Sequence, residues 1–388
     1  MTASEPPAVG HQASLWTVAR EWTRIGLIGF GGPPAHIALL RELIVDRMGW
    51  MSAQEFQDAN AACGLLPGPA STQLAIFCAY RAAGPAGAIV GGLGFITPAV
   101  ILILALSLLF LSRSPPLWVR GAGAGAGAAV AAVAVQAARG LIGPSLARVR
   151  SNRAGLVRWG VYLAVGIAAA ALLGPYLVLA LLACGFAELT IRRGPSQPLS
   201  LGLLLPATVS VGGIGAVAWT AFKVGALSFG GGFVIIPLMQ NDAVHTYHWM
   251  TNTQFLNAVA LGQVTPGPVV ATVAAVGYAA HGIRGGLLAA LVAFSPSFSF
   301  ILIGGSRFER LRANQSARAF LDAAGPAAIG AILGAAILLT EALHETWQFV
   351  LLGLAAVALL VCKRGIVPTL IAAGAVGALL AVVGLPVP

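Results

Sequence analysis

The chain has 388 residues, of which 58% are hydrophobic and only 9% are charged, and its formal net charge is +10. A soluble globular domain carries about 25% charged residues, so the composition excludes an ordinary soluble protein. Apolar runs such as 88–111 and 350–361 exceed what a soluble core needs, and a helix takes roughly 20 apolar residues to cross a bilayer. Because the runs are continuous rather than alternating, they predict an all-α polytopic membrane protein and no strands.

The charge pattern points to a lipid bilayer as partner and to no nucleic acid. Most arginines lie in short loops between apolar runs, where the excess of cations on cytoplasmic loops explains them. The four cysteines form no C-x-x-C pair, so neither a metal site nor a disulfide framework is indicated. Residues 1–13 lack the apolar core of a signal peptide, and no Walker motif occurs. We therefore expect no cleaved leader, no cofactor and no direct use of ATP.

An internal repeat organises the chain. Displaced by 199 positions, the sequence matches itself without a gap, and the matches include two tripeptides and a cation. The paired positions are Arg24 with Lys223, Phe30-Gly31-Gly32 with Phe229-Gly230-Gly231, Pro67-Gly68-Pro69 with Pro266-Gly267-Pro268, Gly87 with Gly286, and Phe95 with Phe294. A polar, proline-containing linker separates the copies. We therefore predict two homologous halves, 14–192 and 201–388.

Each half predicts the same order of elements. A short helix ends at Phe-Gly-Gly, a more polar stretch follows, and the next segment is broken at Pro-Gly-Pro. Four firmer apolar helices complete each half. Their predicted ranges are 86–112, 117–140, 156–173 and 175–191, then 285–305, 318–340, 346–362 and 366–386.

The arginine-rich loops predict that the halves are inverted. In the first half the cluster follows the second firm helix and comprises Arg139, Arg148, Arg150, Arg153 and Arg158. In the second half it comes one loop earlier and comprises Arg307, Arg310, Arg312 and Arg318, whereas the loop around Glu345 is acidic. If both clusters face the cytoplasm, the halves run in opposite directions. The Phe-Gly-Gly and Pro-Gly-Pro segments, one or both discontinuous or re-entrant, would then add one crossing per half. This predicts about ten net crossings, with both chain ends on the non-cytoplasmic side.

The paired breaks predict an anion site. A helix that begins inside the membrane leaves backbone N–H groups unpaired at its positive end, where anions bind. Interrupted helices at matching positions of an inverted repeat are typical of secondary transporters. The neutral donors beside the breaks are Ser71, Thr72, Gln73, Gln263 and Thr272. A packing kink explains one isolated break well, but two breaks per half in one register favour a binding site.

Three titratable side chains are candidate parts of this site. Arg24 and Lys223 each precede a Phe-Gly-Gly by six residues, and a cation inside a membrane segment faces a cavity or a partner unless it snorkels. An unperturbed histidine titrates near pH ~6.5, so His36 is suited to relay a proton, although a hydrogen-bonded structural role is at least as good an interpretation. His245, His248 and Asp242 show metal-like spacing, but they lie in a polar connection and we predict no metal. The run 121–128, GAGAGAGA, indicates close helix packing.

Three stretches resemble the signature motifs of the chromate transporter family. They are FGGPPAHIALLRE (30–42), LLPGPASTQLAIFCAYRAAG (65–84), and LSFGGGFVIIPLM with LGQVTPGPVVATVAAVGY in the second half. The resemblance covers nearly the whole chain and implies the two-domain branch of the family. It implies an ion-coupled carrier of the bacterial inner membrane that exports chromate and confers chromate resistance.

The resemblance also implies site residues. Carried over by motif, they are Phe30, Gly31, Gly32, Pro33, His36, Pro67, Gly68, Pro69, Phe229, Gly230, Gly231, Gly232, Pro237, Pro266, Gly267 and Pro268. Arg24, Thr72, Gln73, Lys223 and Gln263 join them from the argument on breaks and charges. Sulfate or another tetrahedral oxyanion remains an alternative substrate, and a passive anion channel an alternative mechanism. An enzyme is not expected, because no nucleophile–base or metal motif lies in the helices. The oligomeric state stays open, with a homodimer as one option.

Overall fold

The computed structural model describes residues 13–64, 66, 68–112, 114–147, 149, 152–193, 213–228, 232–304 and 315–388. In this part of the chain it contains α-helices and no strand. The helices are α1 (Leu15–Ile28), α2 (Pro33–Arg41), α3 (Ala53–Cys63), α4 (Ala70–Phe110), α5 (Leu117–Ala147), α6 (Arg153–Ala168), α7 (Leu177–Arg193), α8 (Ile214–Leu227), α9 (Ile235–Gln240), α10 (Asn252–Val264), α11 (Thr272–Gly304), α12 (Gln315–Glu341), α13 (Thr346–Ala356) and α14 (Ile366–Val382). Five of them, with their flanking turns, are long and apolar enough to cross a membrane, and three shorter helices are also apolar. The all-helical membrane fold is therefore confirmed.

The repeat is visible in the local structure. A π-helical stretch, Glu42–Arg47, extends α2, and its counterpart Asn241–Thr246 extends α9 at the same spacing of 199. α3 and α10 then begin with the same reciprocal cap, in which the side chains and backbones of Ser52 and Glu55, or of Thr251 and Gln254, bond each other. Such a capping box fixes where a helix begins. Both halves therefore build the same turn at the same register.

α4 and α11 each fold back on themselves. The turn lies at Ala83–Gly84 in α4 and at His281–Gly282 in α11, with a left-handed glycine in both. A methyl group added at Gly92 would lie 3.0 Å from Ile76 Cγ1, whereas 16 residues of straight helix span about 24 Å. Each helix is thus a short arm, 70–82 (α4a) or 272–280 (α11a), followed by a long arm, 85–110 (α4b) or 283–304 (α11b).

The register of the repeat slips by one residue at this turn. Gly26 lies against the carbonyl oxygen of Phe95, whereas its counterpart Gly225 lies against that of Ala293. The spacing is therefore 199 before the turn and 198 after it. The predicted pairing of Gly87 and Phe95 with Gly286 and Phe294 is wrong, because the second half has one residue fewer between break and turn.

Four helical hairpins, named A to D, surround the breaks. Hairpin A (15–47) is closed by ion pairing of Glu21 with Arg47, 2.8 Å, and hairpin B (53–82) by that of Glu55 with Arg81, 2.8 Å. In the second half, hairpin C (214–246) is joined by Lys223 and Asp242. Hairpin D (252–280) brings Gly262 against Thr272. Phe-Gly-Gly forms the tip of A, Gly68 and Pro69 lie at the tip of B, and Pro-Gly-Pro forms the tip of D.

The two halves run in opposite directions. Gly92 of α4b lies against Phe298 of α11b, and Gly286 of α11b lies against Leu104 of α4b, so the two arms are antiparallel. A and B consequently enter from one end of the molecule, and C and D from the other. The end of A and B is also where Arg158 and Arg192 lie. This agrees with the inversion inferred from the arginine loops.

The structure differs from the predicted topology in two details. Both breaks of a half form hairpins that return to their own end, so together they add no net crossing. Ala13 donates its N–H to the Ala82 carbonyl, 2.9 Å, which places it at the arginine-rich end. The prediction that both chain ends lie opposite that end is therefore wrong for the amino-terminal part. The total of about ten crossings stays a prediction, because the linker 194–212 lies outside the described residues.

The halves interlock rather than stand side by side. α5 packs on α13 and α14 of the second half, and α12 packs on α6 and α7 of the first. The glycine run of α5 makes this approach close, as predicted. Gly121 and Gly125 lie against Gly377 and Ala373 of α14, and Gly123 and Gly127 lie against Asn257 and Leu256 of α10. The boundaries 14–192 and 201–388 stay a prediction about the sequence repeat.

Candidate anion site at the hairpin tips

The tips of hairpins B and D each contact the opposite half of the molecule. The backbone N–H of Gly267, at the tip of D, donates to the carbonyl of Gly29, at the end of α1, over 3.0 Å. A methyl group at Gly267 would lie 2.9 Å from Ala99 Cβ, and one at Gly68 would lie 3.2 Å from the Gly225 carbonyl and 3.5 Å from Ser297 Oγ. Each Pro-Gly-Pro therefore contacts the first helix and the long arm of the opposite half.

The backbone at both Pro-Gly-Pro tips requires glycine. Gly68 has φ +117° and Gly267 has φ +95°, values that side chains disfavour. Pro69 then begins α4a, and its carbonyl accepts from the N–H groups of Thr72 and Gln73, both 3.0 Å. Pro268 accepts in the same way from Ala271, 2.9 Å, within a 3₁₀ turn. The preceding N–H groups of each first turn have no partner within their helix, as at any helix start.

His36 joins hairpins A and B beneath the tips. Its side chain is fully buried, with Nε2 3.0 Å from the Gly29 carbonyl and Nδ1 3.2 Å from Ser71 Oγ. A carbonyl only accepts, so Nε2 donates and Nδ1 accepts from the hydroxyl. Gly29 thus receives bonds from His36 and from Gly267 of the other half. Because both ring nitrogens are occupied, this geometry favours the structural role of His36 over a proton relay.

Several buried polar atoms close to the tips lack a hydrogen-bond partner among the described residues. They are Thr72 Oγ1, Ser228 Oγ, Gln263 Nε2 and Ser297 Oγ. Thr72 and Gln263 lie four residues from the tip glycine of their own hairpin, and Ser228 is the repeat counterpart of Gly29. Most buried polar groups in proteins are paired, so a group of orphaned hydroxyls and an amide marks a place suited to a polar ligand. Both halves contribute to it.

The charged groups lie one to two turns away from the tips. Glu21, 4% exposed, is contacted by Arg47 at 2.8 Å, Arg20 at 3.0 Å and Arg24 at 3.7 Å. Three cations around one carboxylate leave hairpin A positively charged. In hairpin C, Asp242 is the acid: it pairs with Lys223 and accepts from Thr220 Oγ1, 2.8 Å. Lys223 therefore faces a partner, because Asp242 neutralises it across the hairpin.

Some predicted site residues do not reach the tips of B and D. Arg24 is on the outer face of α1 with its side chain 58% exposed, beside a 420 Å³ groove, and Phe30 is 46% exposed. Gly31, Gly32 and Pro33 form the exposed turn of hairpin A, with φ +101° and +73° at the glycines. Pro237 lines a 260 Å³ cavity with Gln240 and His245 near the opposite end. Gly232 lies against Val269 and Val270 of hairpin D. Pro67, Phe229, Gly230 and Gly231 lie outside the described residues.

Comparison with known sequences identifies this architecture. The sequence model of the chromate transporter family matches residues 16–189 and again 215–381. The chain belongs to the chromate transporter family. It is 30% identical to the chromate transport protein of Cupriavidus metallidurans over 100% of this chain and 99% of that protein. It is 31% identical to the chromate transport protein of Pseudomonas aeruginosa over 89% and 84%. No solved structure matches it.

Membership makes the chain a multi-pass membrane transporter of two homologous halves, which the helices fit. The family to which the chain is assigned is one of transporters. Among the described residues, no group of three or more metal-ligating side chains is close enough to hold an ion.

Three features of the candidate site have no clear signal in the sequence. Gly29 and Ser228 do not resemble each other, although they occupy equivalent positions. Ser297 lies beyond the register slip, where a fixed displacement aligns it wrongly. Glu21 lies on the first arm of hairpin A and Asp242 on the second arm of hairpin C, so the alignment of the two halves does not place these acids at equivalent positions. Gly26 and Gly225, in contrast, match at 199 and were detectable.

Proposed function

We propose that this transporter exports chromate across the bacterial inner membrane by an ion-coupled cycle, and so confers chromate resistance. Two relatives that align along most of this chain are named chromate transport proteins, which supports the choice of substrate. Export, coupling and resistance extend that family membership.

The observation that carries the proposal is that the tips of hairpins B and D, which enter from opposite ends of an inverted repeat, each contact the opposite half. A tip that contains a helix start offers unpaired backbone N–H groups, and two such tips, B and D, face the opposite half. Chromate is a tetrahedral dianion whose oxygens only accept hydrogen bonds. The orphaned hydroxyls of Thr72, Ser228 and Ser297 and the amide of Gln263 are donors of the matching kind.

The arginines of hairpin A are proposed to draw the anion towards the tips. Hairpin A carries four arginines (Arg20, Arg24, Arg41 and Arg47) and three acids (Glu21, Glu42 and Asp46), an excess of one positive charge (four minus three). A local excess of one sign raises the concentration of oppositely charged substrate near a site. The pair of Lys223 and Asp242 is internally balanced and contributes no such excess.

Flux into vesicles tests the proposal. The purified transporter is reconstituted, and uptake of labelled chromate is measured against concentration, with and without a pH gradient and with sulfate as competitor. We expect a rate that saturates, that the gradient changes, and that sulfate inhibits only in excess. A rate that stays linear and ignores the gradient would indicate a channel, and stronger transport of sulfate would reassign the substrate.

A further inference from the structure

The counterpart helices α3 and α10 are packed unequally. α10 packs on α5, α14 and α4 in addition to its own α11. Within the described ranges, α3 packs extensively only on its neighbours α2 and α4. If the halves were in equivalent states, α3 would make the contacts with α12 and α7 that correspond to those of α10 with α5 and α14. The arginine-rich end is therefore open where the other end is closed.

The exposed face of α3 leads towards a tip. Gln54, Gln57, Ala61 and Gly64 are exposed, and their spacing puts them on one side of the helix. The face begins beside the pair of Glu55 and Arg81 and ends four residues before Gly68. A helix of this length spans about 16 Å, so the face reaches well inside the molecule.

The corresponding face of α10 is sealed. The counterparts of Gln57, Ala61 and Gly64 are Leu256, Ala260 and Gln263, which are only 2%, 2% and 7% exposed. Leu256 and Asn257 press against the glycine face of α5 at Gly127 and Gly123. The sequence difference agrees with the packing difference: the exposed position on α3 is the polar Gln57, and the buried counterpart on α10 is the apolar Leu256.

The exposed face of α3 is better suited to contact with water than with lipid. Amide side chains are costly to place in hydrocarbon, so Gln54 and Gln57 indicate that this side of hairpin B does not meet lipid tails. The alternative cover is a second copy of the chain. The open glycine at 64 argues for a passage, since a methyl group there would meet only the carbonyls of Ala61 and Asn60 in its own helix, at 3.4 and 3.6 Å.

From these observations we infer that the structure shows the transporter open to its arginine-rich, cytoplasmic side. The substrate reaches the tip of hairpin B through an aqueous passage along α3, while the packing of α10 on α5 closes the opposite side. The inference rests on the proposed transport function for its meaning. The passage itself is a property of the fold and is tested without any flux.

Thiol labelling tests the passage. Cys362 is exposed and the other three cysteines are buried, so a Cys362→Ser variant should react little with thiol reagents and serves as the parent for labelling. Gln57→Cys and Ala61→Cys are compared with their counterparts Leu256→Cys and Ala260→Cys in oriented vesicles, using a membrane-impermeant maleimide on either side. We expect the α3 variants to label from the arginine-rich side. They should label at least about tenfold faster than the α10 variants, the factor set by an opening free energy of 1.4 kcal/mol.

Three outcomes would overturn the inference. They are no labelling of Ala61→Cys from either side, labelling of Ala61→Cys and Ala260→Cys at equal rates, and a disulfide between two copies of Ala61→Cys. The last outcome would make the α3 face an interface. Chromate is then added to the labelling reaction at saturating concentration. Fast labelling in a protein that shows no chromate flux would keep the passage and reject the proposed function.

Discussion

At the scale of single residues, Gly68 at the tip of hairpin B is required for two reasons, its backbone conformation and its crowded surroundings. A matched variant at Gly84 separates the two effects. Gly68 has a left-handed backbone and also crowded surroundings, with a methyl group there 2.7 Å from Gln73 Nε2. Gly84 also has a positive φ, +65°, but a methyl group there meets none of the described atoms within 4 Å. A side chain in such a sparsely populated backbone conformation costs about 1–3 kcal/mol at either position.

We therefore expect Gly68→Ala and Gly84→Ala to lose similar stability, measured by thermal unfolding in detergent. Only Gly68→Ala should abolish chromate flux, because only its methyl group enters the space between hairpin B and the opposite half. Equal flux in the two variants, normalised to inserted protein, would reduce the Pro-Gly-Pro tip to a packing kink.

A second prediction at this scale concerns the cations. Lys223→Gln leaves the buried carboxylate of Asp242 without its cation, and removing one partner of a buried pair costs about 3–5 kcal/mol, an upper limit here because Lys223 is 21% exposed. We expect little folded protein from Lys223→Gln and recovery in the double variant with Asp242→Asn.

Arg24→Gln serves as the comparison, because its side chain is exposed and its contact to Glu21 is long. It should fold normally and raise the half-saturating chromate concentration, more at low salt than at high salt. Normal expression of Lys223→Gln, with a raised half-saturating concentration, would instead return Lys223 to the role of a direct anion ligand.

At the scale of elements, the glycine run of α5 determines how closely the halves approach. Gly125 lies against Ala373 and Gly377 of α14, whereas Gly143, on the same helix, has open space around it. Overpacking of a tight contact costs about 1–3 kcal/mol, and the difference in helix propensity between glycine and valine is smaller.

We expect Gly125→Val to lower the thermal unfolding temperature clearly and Gly143→Val to leave it nearly unchanged. The measurement is unfolding of the detergent-solubilised chain followed by exposure of its buried cysteines. If both variants unfold at the temperature of the parent, α5 and α14 do not pack as described.

At the scale of the whole molecule, the inverted arrangement predicts which loops share a side. Asn152 precedes α6 and Gln315 begins α12, and both residues are exposed. The two helices run parallel, with Leu163 against Gly330 and Ile167 against Gly334. His344 lies at the other end of α12. In the Cys362→Ser background, Asn152→Cys and Gln315→Cys should label from the cytoplasm and His344→Cys from outside. If Asn152→Cys and His344→Cys label from the same side, the halves are not inverted.

The sequence alone determined the class of fold, the repeat, the breaks and the relative direction of the halves. These depend on properties that are local along the chain: apolar runs long enough for a bilayer, Gly and Pro at fixed positions, and arginines in loops. Pro-Gly-Pro at Pro67 and Pro266 marks a helix break wherever the rest of the chain goes. Family membership followed from the same motifs.

Only the tertiary structure decided what the breaks contact and which charges are free. Asp242 neutralises Lys223 because hairpin C folds back, and Gly68 meets Ser297 because the halves interlock across a register that has slipped by one residue. The unequal packing of α3 and α10 is likewise invisible in a repeat that aligns them. Such contacts join residues far apart in the chain, and their free energy depends on the whole packing arrangement rather than on local pattern.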